Sequence, residues 1–142
     1  MVSSFIPQWK LVRCSRFRGC MGGRLPSESE WTWFACSGDA TRPYPWGHER
    51  PRSSLANYGY YVGGTTPVGS YPATDWGLVD GAGNVEEWCA DVPPKESPEQ
   101  FDRIGTGGCW NKGEEFLLCH NTRHKWYRVG TVGIGFRIVW EA

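Results

Sequence analysis

The sequence predicts an irregular α+β domain with few short strands, at least one helix near 27–37 and long loops. Three observations carry that expectation. Among 142 residues there are 19 Gly, 10 Pro and 9 Trp, with aromatics at 15%. Such a composition suits loops anchored by indoles rather than a bundle built on periodic Leu and Ala. One stretch carries the signals for both ends of a helix, and the last ten residues alternate as a strand does.

The helix is written in "RLPSESEWTWFACSG". Ser27 is a good N-cap and Glu30, three residues on, completes a capping box. Glu28 sits at the positive end of the helix dipole. Trp31, Phe34 and Ala35 then share one face, and Gly38 ends the element. A packing role is the plain reading of this helix. The next stretch, "DATRPYPWGHERPRSSLANYGYYVGGTTPVGSYPATDWG", meets a proline or glycine every few residues, so regular structure cannot persist. Irregular stretches of that length are uncommon unless they are functional or braced by a metal. "VPPKESPEQFDR" (92–103) is polar and proline-bearing, as a solvent loop is. In "GIGFRIVWEA", Phe136, Ile138 and Trp140 alternate and read as a closing strand.

Fifteen basic and fifteen acidic side chains give a formal charge of +0, which points to neither nucleic acid nor another polyanion as a partner. "MVSSFIPQWKLV" is too broken by polar residues for a secretory signal, and nothing approaches the roughly 20 apolar residues of a membrane span. A cytoplasmic location with no membrane partner is the expectation. Six cysteines, Cys14, Cys20, Cys36, Cys89, Cys109 and Cys119, include no CxxC pair and no zinc-finger spacing.

"GLVDGAGNVEEW" (77–88) sets three carboxylates among glycines. Like charges repel at this density, and glycine costs entropy to fix. A bound cation or a tight turn packed on core would offset both. Asp80, Gly83, Val85 and Glu87 are spaced so that a curled chain brings two carboxylates and two main-chain carbonyls to one point. Hard oxygens in a flexible loop suit Ca²⁺.

Taken in order, "RLPSESEW", "YPWG", "ANYG", "TTPVGSYP", "GLVDGAGNVEEW", a "GG" followed by Trp110, and "GFRIV" resemble the formylglycine-generating enzyme (sulfatase-modifying factor) family. The likeness runs from about Arg24 to Val139. It implies a fold related to the C-type lectins, with residues 1–23 a divergent segment, 24–142 the domain, and the family's N-terminal portion lacking. The resemblance also implies a calcium site at Asp80, Gly83, Val85 and Glu87, in agreement with the spacing. Here Glu86 stands where the family usually has Trp. A second family calcium site would begin at Asn57 and the main chain of Tyr58. Its aspartate position falls near Tyr60, so this site is weakened.

The same resemblance bears on catalysis. Active members carry Gly-Gly-Ser-aromatic, a cysteine three residues after the serine and another five beyond. The two thiolates bind Cu(I), and O₂ is activated there to oxidise a substrate cysteine to formylglycine. In "GTGGCWNKGEEFLLCHNTRHKWYR" those two positions are Lys112 and Leu117, which cannot hold copper. Cys109 takes the serine position. Cys109 and Cys119, with His120 or His124 assisting, are the weak candidates for a rearranged centre. Buried thiols or a disulfide are the bland readings.

Trp110, Asn111, Glu114, Asn121, His124, Trp126 and Tyr127 mix aromatic and polar groups as paratopes do. Non-catalytic relatives of this fold, the variable proteins of diversity-generating retroelements among them, are similar in binding ligands ahead of the final strand. The expectation is therefore a calcium-stabilised, non-catalytic domain that binds a protein or small molecule through 109–127, with calcium expected and copper not. The alternative is a copper-dependent oxidase acting on a substrate cysteine.

Overall fold

A computed structural model describes residues 23–91, 103–121, 125–127 and 132–140. The N-terminal segment through residue 22 with Cys14 and Cys20, most of the 92–103 loop and His124 lie outside the described residues. No helix among the described residues is long and apolar enough to cross a membrane.

Strand β1 (Gly23–Arg24) leads into helix α1 (Glu28–Ala35). The helix starts as its sequence dictates. Ser27 Oγ accepts from the Glu30 N–H, and the Glu30 carboxylate accepts from the Ser27 N–H at 2.8 Å. Arg24 holds that carboxylate from the other side, with both nitrogens at 2.7 Å. Trp31 and Ala35 are buried and Phe34 packs against their cluster. The C-terminus differs in detail from the expectation. Ser37 takes the left-handed conformation (φ 51) before Gly38 (φ 77). Its N–H bonds Phe34 O and the Gly38 N–H bonds Trp33 O, which satisfies two orphan carbonyls of the last turn.

From there to residue 85 the chain forms no strand, only a Tyr44–Gly47 bridge, as the density of Pro and Gly requires. Strands β2 (Glu86–Trp88), β3 (Arg103–Thr106), β4 (Lys125–Tyr127) and β5 (Ile134–Phe136) then form one sheet in the order β4-β3-β2-β5. A 3₁₀ turn, Glu114–Phe116, lies between β3 and β4. Strand β2 pairs antiparallel with β3 and parallel with β5. Arg103, assigned by sequence to the solvent loop, instead opens β3.

The expected single closing strand is two pieces. After Phe136 the chain leaves the four-stranded sheet, and β6 (Val139–Trp140) pairs with β1 in a separate two-stranded ribbon. The alternation of Phe136, Ile138 and Trp140 does not mark one buried face: Phe136 is buried in β5 with Trp88, Leu25 and Ile138 against it, while Trp140 is exposed.

Two further apolar clusters flank β2. Trp31, Ala35, Cys36, Leu78, Cys89, Ile104 and Cys119 join the helix to the sheet. Ala56, Tyr58, Ala82 and Leu117, with Tyr44 and Trp46 alongside, join the long loops to one another. Loops thus rest on core side chains rather than on regular hydrogen-bond ladders.

Candidate functional site

The site is assembled by three irregular segments around β2: residues 57–69, 79–85 and 107–119. Backbone donors fasten them. The Asn84 N–H donates to Asn57 O at 2.7 Å, and the Gly83 N–H donates to Gly107 O at 2.8 Å. At Gly83 (φ 74) a Cβ would stand 2.4 Å from Asn57 O, so only glycine lets the two loops approach. Asn84 works by side chain too: its Oδ1 accepts from the Thr66 N–H at 2.8 Å and its Nδ2 donates to Thr66 O at 3.1 Å. Asn57 Nδ2 donates to Gly64 O at 2.8 Å.

Three non-glycine residues here, Tyr60 (φ 63), Asp80 (φ 50) and Asn84 (φ 62), are left-handed. That conformation costs L-residues energy and gathers where surrounding contacts impose it.

Asp80 Oδ2 accepts from the Gly69 N–H at 2.7 Å. Its other oxygen is buried with no hydrogen-bond partner, and so is Asn57 Oδ1. An unsatisfied buried oxygen costs about 1–3 kcal/mol. Burial pushes the Asp80 carboxyl above its usual range; the Gly69 N–H opposes this, the Glu87 charge adds to it and Arg137 opposes it. Glu87 itself is buried, and both of its oxygens accept hydrogen bonds. Arg137 grips it through Nε and Nη2, each at 2.9 Å, and Trp31 Nε1 donates at 2.8 Å. Arg137 Nη2 also donates to Val79 O at 3.0 Å.

These residues fit a divalent cation in donor type and in the bare Asp80 oxygen. The described residues hold no group of three or more His, Cys, Asp or Glu placed for a metal. An ion at Asp80 would therefore depend on the main-chain oxygens that the spacing argument already required. Asn57 presents the same bare oxygen, but Tyr60, standing where an acid is needed, points out with 63% of its surface exposed.

The two positions that the family resemblance assigns to copper ligands, Lys112 and Leu117, make other contacts here. Lys112 Nζ makes an ion pair with the buried Glu86 carboxylate, and lies 5.2 Å from the centre of the Phe116 ring. Leu117 is fully buried beside Ala56, Tyr58 and Ala82. Two of the departures from the family pattern, Glu86 and Lys112, thus meet in space.

Cys109 is buried and its Sγ donates to Asn111 Oδ1 at 2.9 Å. Cys119 belongs to the helix-side core, where burial and then neighbouring Cys36 push its thiol up to about 12. The four described cysteines, Cys36, Cys89, Cys109 and Cys119, are all buried.

Of the residues expected to bind ligand, Trp110, Asn111 and Glu114 share one loop beside residues 58–61. Gly59 N–H donates to Lys112 O and Tyr60 N–H to Trp110 O, each at 2.8 Å. Glu114 is exposed, while Asn121 is half-buried. Trp126 and Tyr127 lie on β4, opposite Ile104 and Arg103. Sequence reasoning missed Arg137 as the partner of Glu87. The signal was a lone arginine inside the apolar stretch 134–140, a residue that is buried only when paired. It also missed Tyr60 and Tyr61, whose rings stand beside Trp110 and Tyr58.

The chain is 39% identical over 125 residues to serine/threonine-protein kinase pkn1 of Chlamydia caviae, covering 78% of this chain and 20% of that one. It is 33% identical over 133 residues to the formylglycine-generating enzyme of Thermomonospora curvata, covering 76% of this chain and 43% of the enzyme. Among solved structures, PvdO from Pseudomonas aeruginosa superposes with a TM-score of 0.70 at 27% identity, over 95% of this chain and 60% of PvdO. The chain therefore spans less than two thirds of each of these relatives, and as little as 20% of the first. The family model for the sulfatase-modifying factor enzyme 1-like domain matches residues 14–142, and the chain belongs to that family.

Proposed function

We propose that this domain is a calcium-stabilised binding module that does not oxidise cysteine, and that it engages a protein or small molecule through the 109–127 region. One observation carries the reading. The ammonium of Lys112, paired with Glu86, and the buried side chain of Leu117 occupy the positions that match the family's copper thiolates. Neither group is a soft ligand.

Calcium supplies positive charge and coordination for oxygens the chain leaves bare. Asp80 would offer its unpartnered carboxylate oxygen, Gly83 and Val85 their carbonyls, and Glu87 remaining lone pairs beside Arg137. The residues themselves do the positioning: Asn84 and Gly83 hold the loop in place, and Gly69 orients Asp80. The buried thiols among the described residues suit a reducing compartment, in keeping with a cytoplasmic location.

The test is oxidation of a cysteine-containing sulfatase peptide by purified protein supplied with Cu(I) and O₂. The expected result is an unmodified peptide and no stoichiometric copper. Formylglycine formation would overturn the proposal and favour a rearranged centre at Cys109 and Cys119.

A further inference from the structure

Helix α1 and two turns beside it set a pair of indoles at the surface. Trp33 and Trp76 are 52% and 50% exposed. Two positions from each of the buried Trp31 and Ala35, Trp33 falls on the opposite face of the helix. Trp76 rides a turn closed by three hydrogen bonds. The Gly77 N–H donates to Thr74 O and the Thr74 N–H to Leu78 O, each at 2.8 Å, and the Leu78 N–H donates to Thr74 Oγ1 at 3.1 Å. Leu78 anchors that turn in the helix-side core. The indoles meet edge-on, with centroids 6.0 Å apart and planes at 72°, and Phe34 stands edge-on to Trp76 at 6.2 Å. Both close over Gly38, where a Cβ would stand 2.8 Å from Trp76 and 3.2 Å from Trp33. Large rings fixed at the surface in this way mark a contact site.

The rim of the pair is polar and carries both donors and acceptors. Arg42 forms ion pairs with Asp75 and, at 3.6 Å, with Asp39. Asp75 precedes Trp76 and Asp39 follows Gly38 in sequence, so the three charged groups border the rings. Asp39 also accepts from the Thr41 hydroxyl at 2.6 Å and the Thr41 N–H at 2.9 Å, bonds that hold its carboxyl below the usual range. Asp75 is exposed. Two carboxylates beside one guanidinium disfavour phosphorylated or acidic ligands.

We propose that Trp33, Trp76, Asp39, Asp75 and Arg42 form a platform for a neutral hexopyranose of an oligosaccharide. A pyranose is divided as this surface is. Its face of positively polarised C–H groups stacks on the negative face of an indole, and the hydroxyls at its edge both donate and accept. The carboxylates take hydroxyl protons and Arg42 donates to hydroxyl oxygens, charge-assisted bonds in each case. A wholly apolar partner would strand these charges. The platform is carried by α1 and residues 38–42 and 74–78 rather than by 109–127, and it stands whether or not those loops hold a ligand.

Cellohexaose, laminarihexaose and mannohexaose are titrated into the whole chain by isothermal titration calorimetry, with dextran sulfate as the anionic comparison. Expected is saturable binding of at least one neutral hexasaccharide and none of dextran sulfate. Trp76→Ala and Trp33→Ala should each weaken it by roughly tenfold, while Trp33→Tyr keeps a ring and stays within about threefold. Asp75→Asn, at an exposed position, should weaken it by about threefold and leaves the ring packing alone. Circular dichroism melts establish that each variant is folded. No binding of any of the three sugars, dextran sulfate binding that matches theirs, or binding that the ring variants and Asp75→Asn leave unchanged would overturn the inference. So would sedimentation showing a dimer that Trp33→Ala and Trp76→Ala convert to monomers, because the indoles would then contact a second copy of the chain.

Discussion

Lys112 and Glu86 form an ion pair across 26 residues of sequence, in the space between the 109–112 loop and strand β2. Glu87, the next residue, pairs with Arg137. A strand alternates its side chains, so adjacent buried acids need partners on opposite faces, and the chain supplies one to each.

Removing one partner should therefore cost more than removing both. Lys112→Met deprives a buried carboxylate of its counter-charge and is expected to destabilise by roughly 3 kcal/mol in urea unfolding. Adding Glu86→Leu should recover most of that loss. A double variant as weak as the single would show that the pair is not what the loop depends on.

Calcium response is the second expectation. Melting temperature should rise with added Ca²⁺ and fall with chelator. A ligand at about 100 times its dissociation constant stabilises by about 2.7 kcal/mol. Asp80→Ala should abolish the response, and a response that survives it would remove the assignment.

Gly83 offers a test of loop contact. A methyl group there meets Asn57 O at 2.4 Å in a left-handed backbone. Gly83→Ala should cost on the order of 3 kcal/mol from overpacking and strain together, again measured by urea unfolding. A mild effect would mean that the two loops part easily.

Glu30 links stability to pH. Hydrogen bonds from Arg24 first, then Ser27, lower its carboxyl to about 2 from an ordinary 4.5. A depressed folded pKa gives stability that is full above the unfolded value and lost as pH falls toward the folded one. The difference in melting temperature between the parent chain and Glu30→Gln should thus be constant above about pH 5 and shrink from there toward pH 2. A difference that holds constant down the acid range would contradict the linkage.

Thiol reactivity supplies a last check. Burial is the first cause pushing the thiols of Cys89 and Cys119 up, the latter to about 12. Both should resist iodoacetamide at neutral pH in the folded chain and react once it is unfolded. Mass spectrometry of labelled peptides reads the outcome, and rapid native labelling of Cys119 would show that its core cluster is open.

What was legible in the sequence was local. The capping box of Ser27 and Glu30 spans three residues, and both halves formed. The absence of strands from 39 to 77 followed from Pro and Gly alone. Family-scale motifs carried the rest of the fold. Tertiary pairings were not legible. Arg137 meets Glu87 across 50 residues, and no periodicity marks which arginine will find which acid. Glu86 and Lys112 were each visible as departures from a family pattern, yet nothing in either position announced that one answers the other. Ser37, rather than Gly38, opened the helix stop because a paired set of backbone bonds holds it there.

The contact between Gly83 and the Asn57 backbone, with Asn84 sewing down Thr66, has a bearing on engineering. Swapping the aromatic loop alone for one from a relative would carry in a foreign carbonyl and lose the fit to Gly83 and Asn84. A transplant would have to move residues 57–66 together with 83–84 as one cassette. Diversification for new binding specificities is better confined to the exposed tips at Tyr60 and Tyr61, which can change while the stitching beneath them stays.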